Sequence, residues 1–154
     1  MAKLSTFSEL SLSSAPSVKL LLDTNIFIPL EPAAAADVVP NSELAASVAR
    51  LAQVGGHTMY LHPAQSHDIN RDKDAGRAEL RRVLFTKYPS LPDPPLISPQ
   101  HNAILGSPEH GTNDWVDDHL IVALVADAVD FLVSEDKGVR KKARRFRCDS
   151  RVLT

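Results

Sequence analysis

Hydrophobic positions in this chain fall into short unbroken runs alternating with stretches of helical periodicity. KLLL, residues 19–22, is closed abruptly by Asp23, Thr24 and Asn25, the pattern of a strand buried on both faces. HTMYLH (57–62), DFLVSED (130–136) and SRVLT (150–154) read as three more strands. Between them, prolines 29, 32 and 40 limit the segment after the first strand to a short helix or loop. Residues 41–56 predict a helix capped by Asn41 or Ser42 and ended by Gly55-Gly56, with Leu44, Val48, Leu51 and Val54 on one apolar face. A polar helix is expected over 63–88, opened by Pro63 and open to a break at Gly76. The proline-rich segment 89–99 must be extended, and 101–111 is ambiguous, with room for one helical turn. Residues 112–129 form a helix apolar nearly all round beyond its first two turns, hence buried on several sides. KGVRKKARRF (137–146) is a basic helix. Strands alternating with helices define an α/β fold with a parallel sheet covered on both faces.

Composition refines this picture only slightly. The 154 residues fit one domain, and 44% hydrophobic with 23% charged is an ordinary soluble balance. Residues 1–17 read as a mobile, Ser-rich lead-in without a signal-peptide core, and 18–154 as a single domain, compatible with the N-terminal part of a longer protein. A single cysteine, Cys148, forms no internal disulfide, and no apolar run is long enough to span a bilayer, so a cytoplasmic location is expected.

The candidate chemistry lies where the strands end. In open parallel sheets the ligand crevice sits outside the carboxyl ends of the strands. Asp23 and Asp136 follow two strand ends. Asp118 lies near the start of the buried helix, with Asp114 one turn earlier on the same face, while Asp117, about 100° round, is expected to point elsewhere. Asp68 lies early in the helix after the second strand. Converging carboxylates repel unless a cation sits among them, and oxygen-only ligation points to Mg²⁺ or Mn²⁺. Such an ion activates water against a phosphodiester.

LLLDTNIFI, the DDHLIVAL helix and FLVSEDKGVRKKA, in this order, resemble the PIN-domain nucleases across the chain from Lys19. The resemblance implies a PIN-like three-layer fold with a central parallel sheet of about five strands and a Mg²⁺/Mn²⁺-dependent endoribonuclease site. It places the catalytic acids at Asp23, Asp68, Asp118 and Asp136, with Thr24, Asn25 and Ser134 in support. Asp114 joins the metal-ligand candidates by its position on the helix face. The family usually carries Glu where Asp68 stands. Stand-alone domains of this kind are often toxins of toxin–antitoxin pairs, so an antitoxin, a fused domain and a homodimer are candidate partners, with single-stranded or tRNA-like RNA as substrate. The alternative is a catalytically weak RNA-binding or regulatory module of a larger protein. The D-x-D phosphatases are disfavoured, because Asn25 stands where their second Asp belongs.

Seven Lys or Arg lie between 137 and 147. Lys137, Arg140, Lys141, Lys142, Arg144 and Arg145 are therefore candidate RNA contacts, with RAELRR (77–82) as an extension of the track. His62, His67 and His119 match no zinc spacing and are assigned structural or surface roles. Trp115 is assigned to packing, and Cys148 lacks a partner that would make it a nucleophile.

Overall fold

A computed structural model describes residues 15–154; the expected lead-in lies outside the described residues except for 15–17, which carry no regular secondary structure. The elements run β1 (Lys19–Leu22), α1 (Thr24–Leu30), a 3₁₀ turn (Ala35–Asp37), α2 (Ser42–Val54), β2 (Thr58–Tyr60), a 3₁₀ turn (Pro63–Gln65), α3 (Ser66–Asn70) and α4 (Ala75–Phe85). They continue through α5 (Pro99–Leu105), α6 (Asn113–Val125), β3 (Phe131–Val133), α7 (Lys137–Arg145), a 3₁₀ turn (Asp149–Arg151) and β4 (Val152–Leu153). The four strands form one all-parallel sheet in the order β2-β1-β3-β4. Among the described residues no helix is long and apolar enough to cross a membrane.

Central β1 pairs Leu20 with both Met59 and Phe131, and Leu21 with both Tyr60 and Leu132. Alternation along the strands divides the apolar residues between two cores. Leu21, Leu132 and Val152 pack with Leu120, Ile121 and Leu124 of α6 and with Val139 and Ala143 of α7. Leu20, Leu22 and Val133 pack on the other face with Phe27 of α1, Ala52 of α2 and Ile69 of α3. Phe27 is fully buried and meets the rings of Phe85 and Tyr88 edge-on, with centroids 5.6 and 5.9 Å away. The two clusters place helices on both faces of the sheet.

Three expectations are corrected. The sheet has four strands among the described residues, not about five. The place beside β2 is taken by Ser90, which makes a single parallel bridge to Leu61. Leu61 N–H donates to Pro89 O (3.1 Å) and Leu91 N–H to Leu61 O (2.9 Å), but Pro89 and Pro92 have no N–H with which to lengthen the ladder. The helix expected over 63–88 is divided not at Gly76 but before it, where Asp74 caps α4 by accepting from Arg77 N–H at 2.9 Å. Residues 99–105 form a two-turn helix, because Ser98 caps it, Pro99 occupies its first position and Gly106, at φ +98°, ends it.

Helix α2 spans its expected range, but its larger apolar face is turned outward: Leu44 is 61% exposed and Val54 83%. The inward stripe is Ala45, Ala49 and Ala52, whose small side chains admit a close approach to the sheet layer.

Candidate active site

The carboxyl edge of the sheet gathers the ends of β1 and β3 with the starts of α3 and α6. Asp23 leaves β1 as the N-cap of α1, its Oδ1 accepting from Thr24 N–H at 2.6 Å and its Oδ2 from the Ser134 hydroxyl at 2.6 Å. Ser134 Oγ in turn accepts from Asp136 N–H (3.0 Å), and Asp136 caps α7 by accepting from Gly138 N–H (2.6 Å). The Thr24 hydroxyl donates to Asp68 Oδ2 at 2.6 Å. One turn therefore couples three of the expected acids, and both expected hydroxyls bridge them. Asn25 lies at the same corner, its Nδ2 donating to Ser134 Oγ at 3.5 Å and its Oδ1 accepting from Glu135 N–H at 3.4 Å.

The fourth carboxylate in this group is Asp117. It lies within reach of the charges of Asp23, Asp136 and Asp68, contrary to the expectation that it points elsewhere, and its Oδ2 also stands 4.0 Å from Lys142 Nζ. Burial, then the charge of Asp23, with smaller contributions from Asp136 and Asp68, pushes its carboxyl up to about 7 against the pull of Lys142. Asp23 is raised by burial as well, opposed by its bonds to Ser134 and Thr24 and reinforced by the charges of Asp68 and Asp136.

Asp118, the expected member, turns the other way. It is fully buried, with Oδ1 accepting from Lys142 Nζ at 2.8 Å and Oδ2 without a partner. Asp114 shares that face, as expected from one helical turn, and accepts from the same ammonium at 3.1 Å. The two thus hold a lysine rather than joining the crevice. Burial works against the Lys142 charge, but its bonds to Asp118 and Asp114 outweigh burial and raise its pKa.

Two positioning residues escaped the sequence reading. Gln65, fully buried, donates to Leu22 O (2.9 Å) and Thr24 Oγ1 (3.1 Å) and accepts from His62 N–H (2.7 Å), so it locks the ends of β1 and β2 together. The only sequence signal for it is its place three residues after His62, behind Pro63, as the closing member of a capping pair. Arg71 bonds Asp68 Oδ1, Gly111 O and Asn113 Oδ1, joining α3 to the start of α6.

The basic track is also revised. Lys142 is 13% exposed and engaged as described. Arg140 donates to Val152 O (2.8 Å), Arg145 to Ile104 O (3.0 Å), and Arg144 faces Asp149 at 3.4 Å. Lys137 and Lys141 are exposed, with no ion pair among the described residues. The extension through 77–82 is committed elsewhere: Arg77 and Arg81 hold Asp72, Arg81 also holds Asp37, and Arg82 pairs with Glu79.

Among the described residues, no three His, Cys, Asp or Glu side chains converge on one metal-sized point. The donor chemistry nevertheless fits a hard divalent cation: four carboxylates, no nitrogen or sulfur, and mutual repulsion that a cation would relieve. Mg²⁺ commonly takes only one or two carboxylates and keeps its waters, so three converging side chains are not required.

His62 lies buried just after β2. It is 2% exposed, and its Nδ1 accepts from Ala64 N–H at 3.0 Å. Burial first, then the neighbouring His119, lowers its pKa from 6.5 to about 4. Below pH 6.5 the unfolded chain therefore binds a proton that the folded one refuses. The stability this group contributes is complete above about 6.5 and is lost as pH falls toward 4. By about pH 5 the loss should reach roughly 2 kcal/mol, at ~1.4 kcal/mol per pH unit. His62→Asn keeps an acceptor for Ala64 and removes the titration. Urea unfolding near pH 7 and pH 5 should show the wild type losing about 2 kcal/mol more than the variant; equal losses would refute the assignment.

No protein-family model, no curated protein and no solved structure matches this chain. Its class is that of its architecture: an α/β protein with an all-parallel sheet and an acidic crevice at the carboxyl edge.

Proposed function

We propose that this protein is a Mg²⁺/Mn²⁺-dependent endoribonuclease, a phosphodiester hydrolase working at the crevice of Asp23, Asp68, Asp117 and Asp136. The observation that carries the reading is the hydrogen-bonded coupling of Asp23, Asp68 and Asp136 through Thr24 and Ser134, with Asp117 of α6 within reach of their charge. A fold does not accumulate like charges at one edge without a partner for them, because each buried carboxylate raises the cost of ionising the next. The resemblance of LLLDTNIFI and FLVSED to the PIN-domain nucleases supports RNA as the substrate.

One or two of Asp23, Asp117 and Asp136 would hold the cation directly, with the remaining acids and Asp68 reaching it through its waters. Bound there, it would lower the pKa of a coordinated water and offset charge on the phosphate. The chain's own residues set the geometry. Ser134 and Thr24 fix the Asp23 and Asp68 carboxylates, and Arg71 orients Asp68 from outside. Lys142 holds the α6 start in place through Asp118, and exposed Lys137 and Lys141 supply cationic charge beside Asp136 for the phosphate backbone. A second reading, an RNA-binding module that does not cleave, is favoured by the donors' failure to converge on one point.

The test is cleavage of a mixed RNA pool, tRNA included, by wild type and Asp23→Asn purified identically, with Mn²⁺ or Mg²⁺ and with chelator. The expected result is cleavage abolished by the variant and by the chelator. Equal cleavage by both proteins would sink the proposal. Absence of cleavage with RNA binding unchanged in Asp23→Asn would establish the second reading.

A further inference from the structure

Adjacent to the acidic crevice lies a cavity of about 300 Å³ that nothing above uses. Its walls are Trp115 and His119 from α6, His67 from α3, His62 from the end of β2, and Pro94 and Leu96 from the proline-rich segment. His67 precedes Asp68, and Trp115 lies two residues before Asp117, so the same two helices that carry crevice acids carry the cavity's rings. The Trp115 ring lies 4.1 Å from His119, 4.4 Å from His110 and 5.0 Å from His67 between centroids, and Leu96 of the cavity lining is 88% exposed, an apolar side chain left in water.

The polar atoms of this cavity have fixed characters. His62 Nδ1 accepts from Ala64 N–H, so its proton resides on Nε2, and that atom is buried without a partner. His119 Nδ1 lies 2.8 Å from Trp115 O, which only accepts, so its proton resides on Nδ1 and its Nε2 is an acceptor. The two imidazoles meet edge to face with centroids 5.4 Å apart. A fixed donor and a fixed acceptor side by side, under aromatic and proline walls, match the edge and face of a nucleobase. A metal would need both imidazoles to present lone pairs, and His62 does not.

Building on the nuclease reading, we propose that this cavity is a nucleobase-binding subsite. It seats one unpaired base of the RNA against Trp115 and reads its edge through His62 Nε2–H and His119 Nε2. Burial keeps His62 neutral at pH 7, so Nδ1 remains the acceptor for Ala64 N–H and the single proton stays on Nε2.

Trp115 is the only tryptophan in the chain, so its fluorescence reports occupancy. In chelator, the full chain is titrated with the four ribonucleoside 5′-monophosphates and with ribose 5-phosphate. The expected result is saturable quenching that differs among the bases and is absent with ribose 5-phosphate. Leu96→Ala, at an exposed position that the fold does not need, should weaken binding about fivefold. His62→Asn should flatten the preference among bases while leaving quenching in place. Absence of saturable quenching, or equal quenching by ribose 5-phosphate, would overturn the proposal, the latter marking a plain anion site. Chelator separates the two readings. Base-selective quenching without metal-dependent cleavage keeps the subsite and discards the nuclease; cleavage without such quenching does the reverse.

Discussion

Lys142→Met should destabilise the protein by about 3 kcal/mol at pH ~8, whereas Lys141→Met, one residue away, should change stability by less than about 0.5 kcal/mol. Lys142 supplies the hydrogen bond to the Asp118 carboxylate, whose other oxygen is already unpartnered in a fully buried position. Without the ammonium, a charge is left in the interior with nothing opposite it, and that is far worse than never having had the pair. Asp118 is already raised by burial, with the Lys142 bond pulling the other way, so losing Lys142 raises it further. The penalty should therefore shrink as pH falls and Asp118 takes up a proton. Thermal melts of both variants near pH 8 and pH 5 check the size and the trend. A Lys142→Met melt that matched wild type at both pH values would mean the ion pair does not hold α6 to α7. RNA binding gives the complementary contrast: Lys141→Met should reduce the salt dependence of binding in a variant of unaltered stability.

Asp117→Asn should move stability the opposite way while abolishing the proposed activity. The Asp117 carboxyl is raised to about 7, so between pH ~4 and ~7 the folded chain keeps a proton that the unfolded chain gives up. The fold is favoured by this group at low pH and loses that advantage as pH rises through about 7. Above it, the ionised Asp117 adds its charge to the field of Asp23, Asp136 and Asp68. Asparagine removes one charge from that group, so the metal-free variant should be more stable than wild type by about 2 kcal/mol at pH ~8, a figure discounted for partial exposure, and equal to it near pH 4. Mn²⁺ should narrow the gap by stabilising wild type more than the variant, since a ligand of the native state adds stability in proportion to its occupancy. Cleavage should fall about a hundredfold or more, as expected when a group at a metal centre is lost. A variant less stable than wild type at pH 8 without metal would show that the carboxylates do not repel as described.

The parts legible in the sequence are those where one physical pattern allows one answer. KLLL has no polar position to turn toward solvent, so a central strand was the natural reading, and Asp23 and Asp136 follow because a strand end in a parallel sheet is already at the crevice. Helix α6 was equally plain as an element. Its inner orientation was not, for the same reason: a helix apolar nearly all round has no phase from which to judge whether Asp117 or Asp118 faces the acids. The basic helix posed a related problem, since nothing distinguishes Lys142 from Lys141 until α6 is packed beside it. Helix α2 misled in another way, its alanines occupying the inner face that bulkier Leu44 and Leu51 were expected to fill. Gln65 carries no pattern of its own beyond a capping pair. Its importance arises only where the ends of β1 and β2 meet.

The sheet order also bears on when the crevice comes into being. Among the described strands β1 is made before the others, yet it lies between β2 and β3, and Asp23 waits on Ser134, 111 positions further along the chain. Contacts of that separation form late and slowly, because a long loop must close before any of them repays its ordering. During synthesis the amino-terminal half can collect β1, β2 and the helices between them, but it has no Ser134, no Asp136 and no Asp117. An emerging chain therefore carries one or two isolated acids and no crevice. If the crevice cuts RNA, the polypeptide is harmless to the message and the transfer RNAs that surround it until residues 131–136 have been added and have folded back beside the first strand.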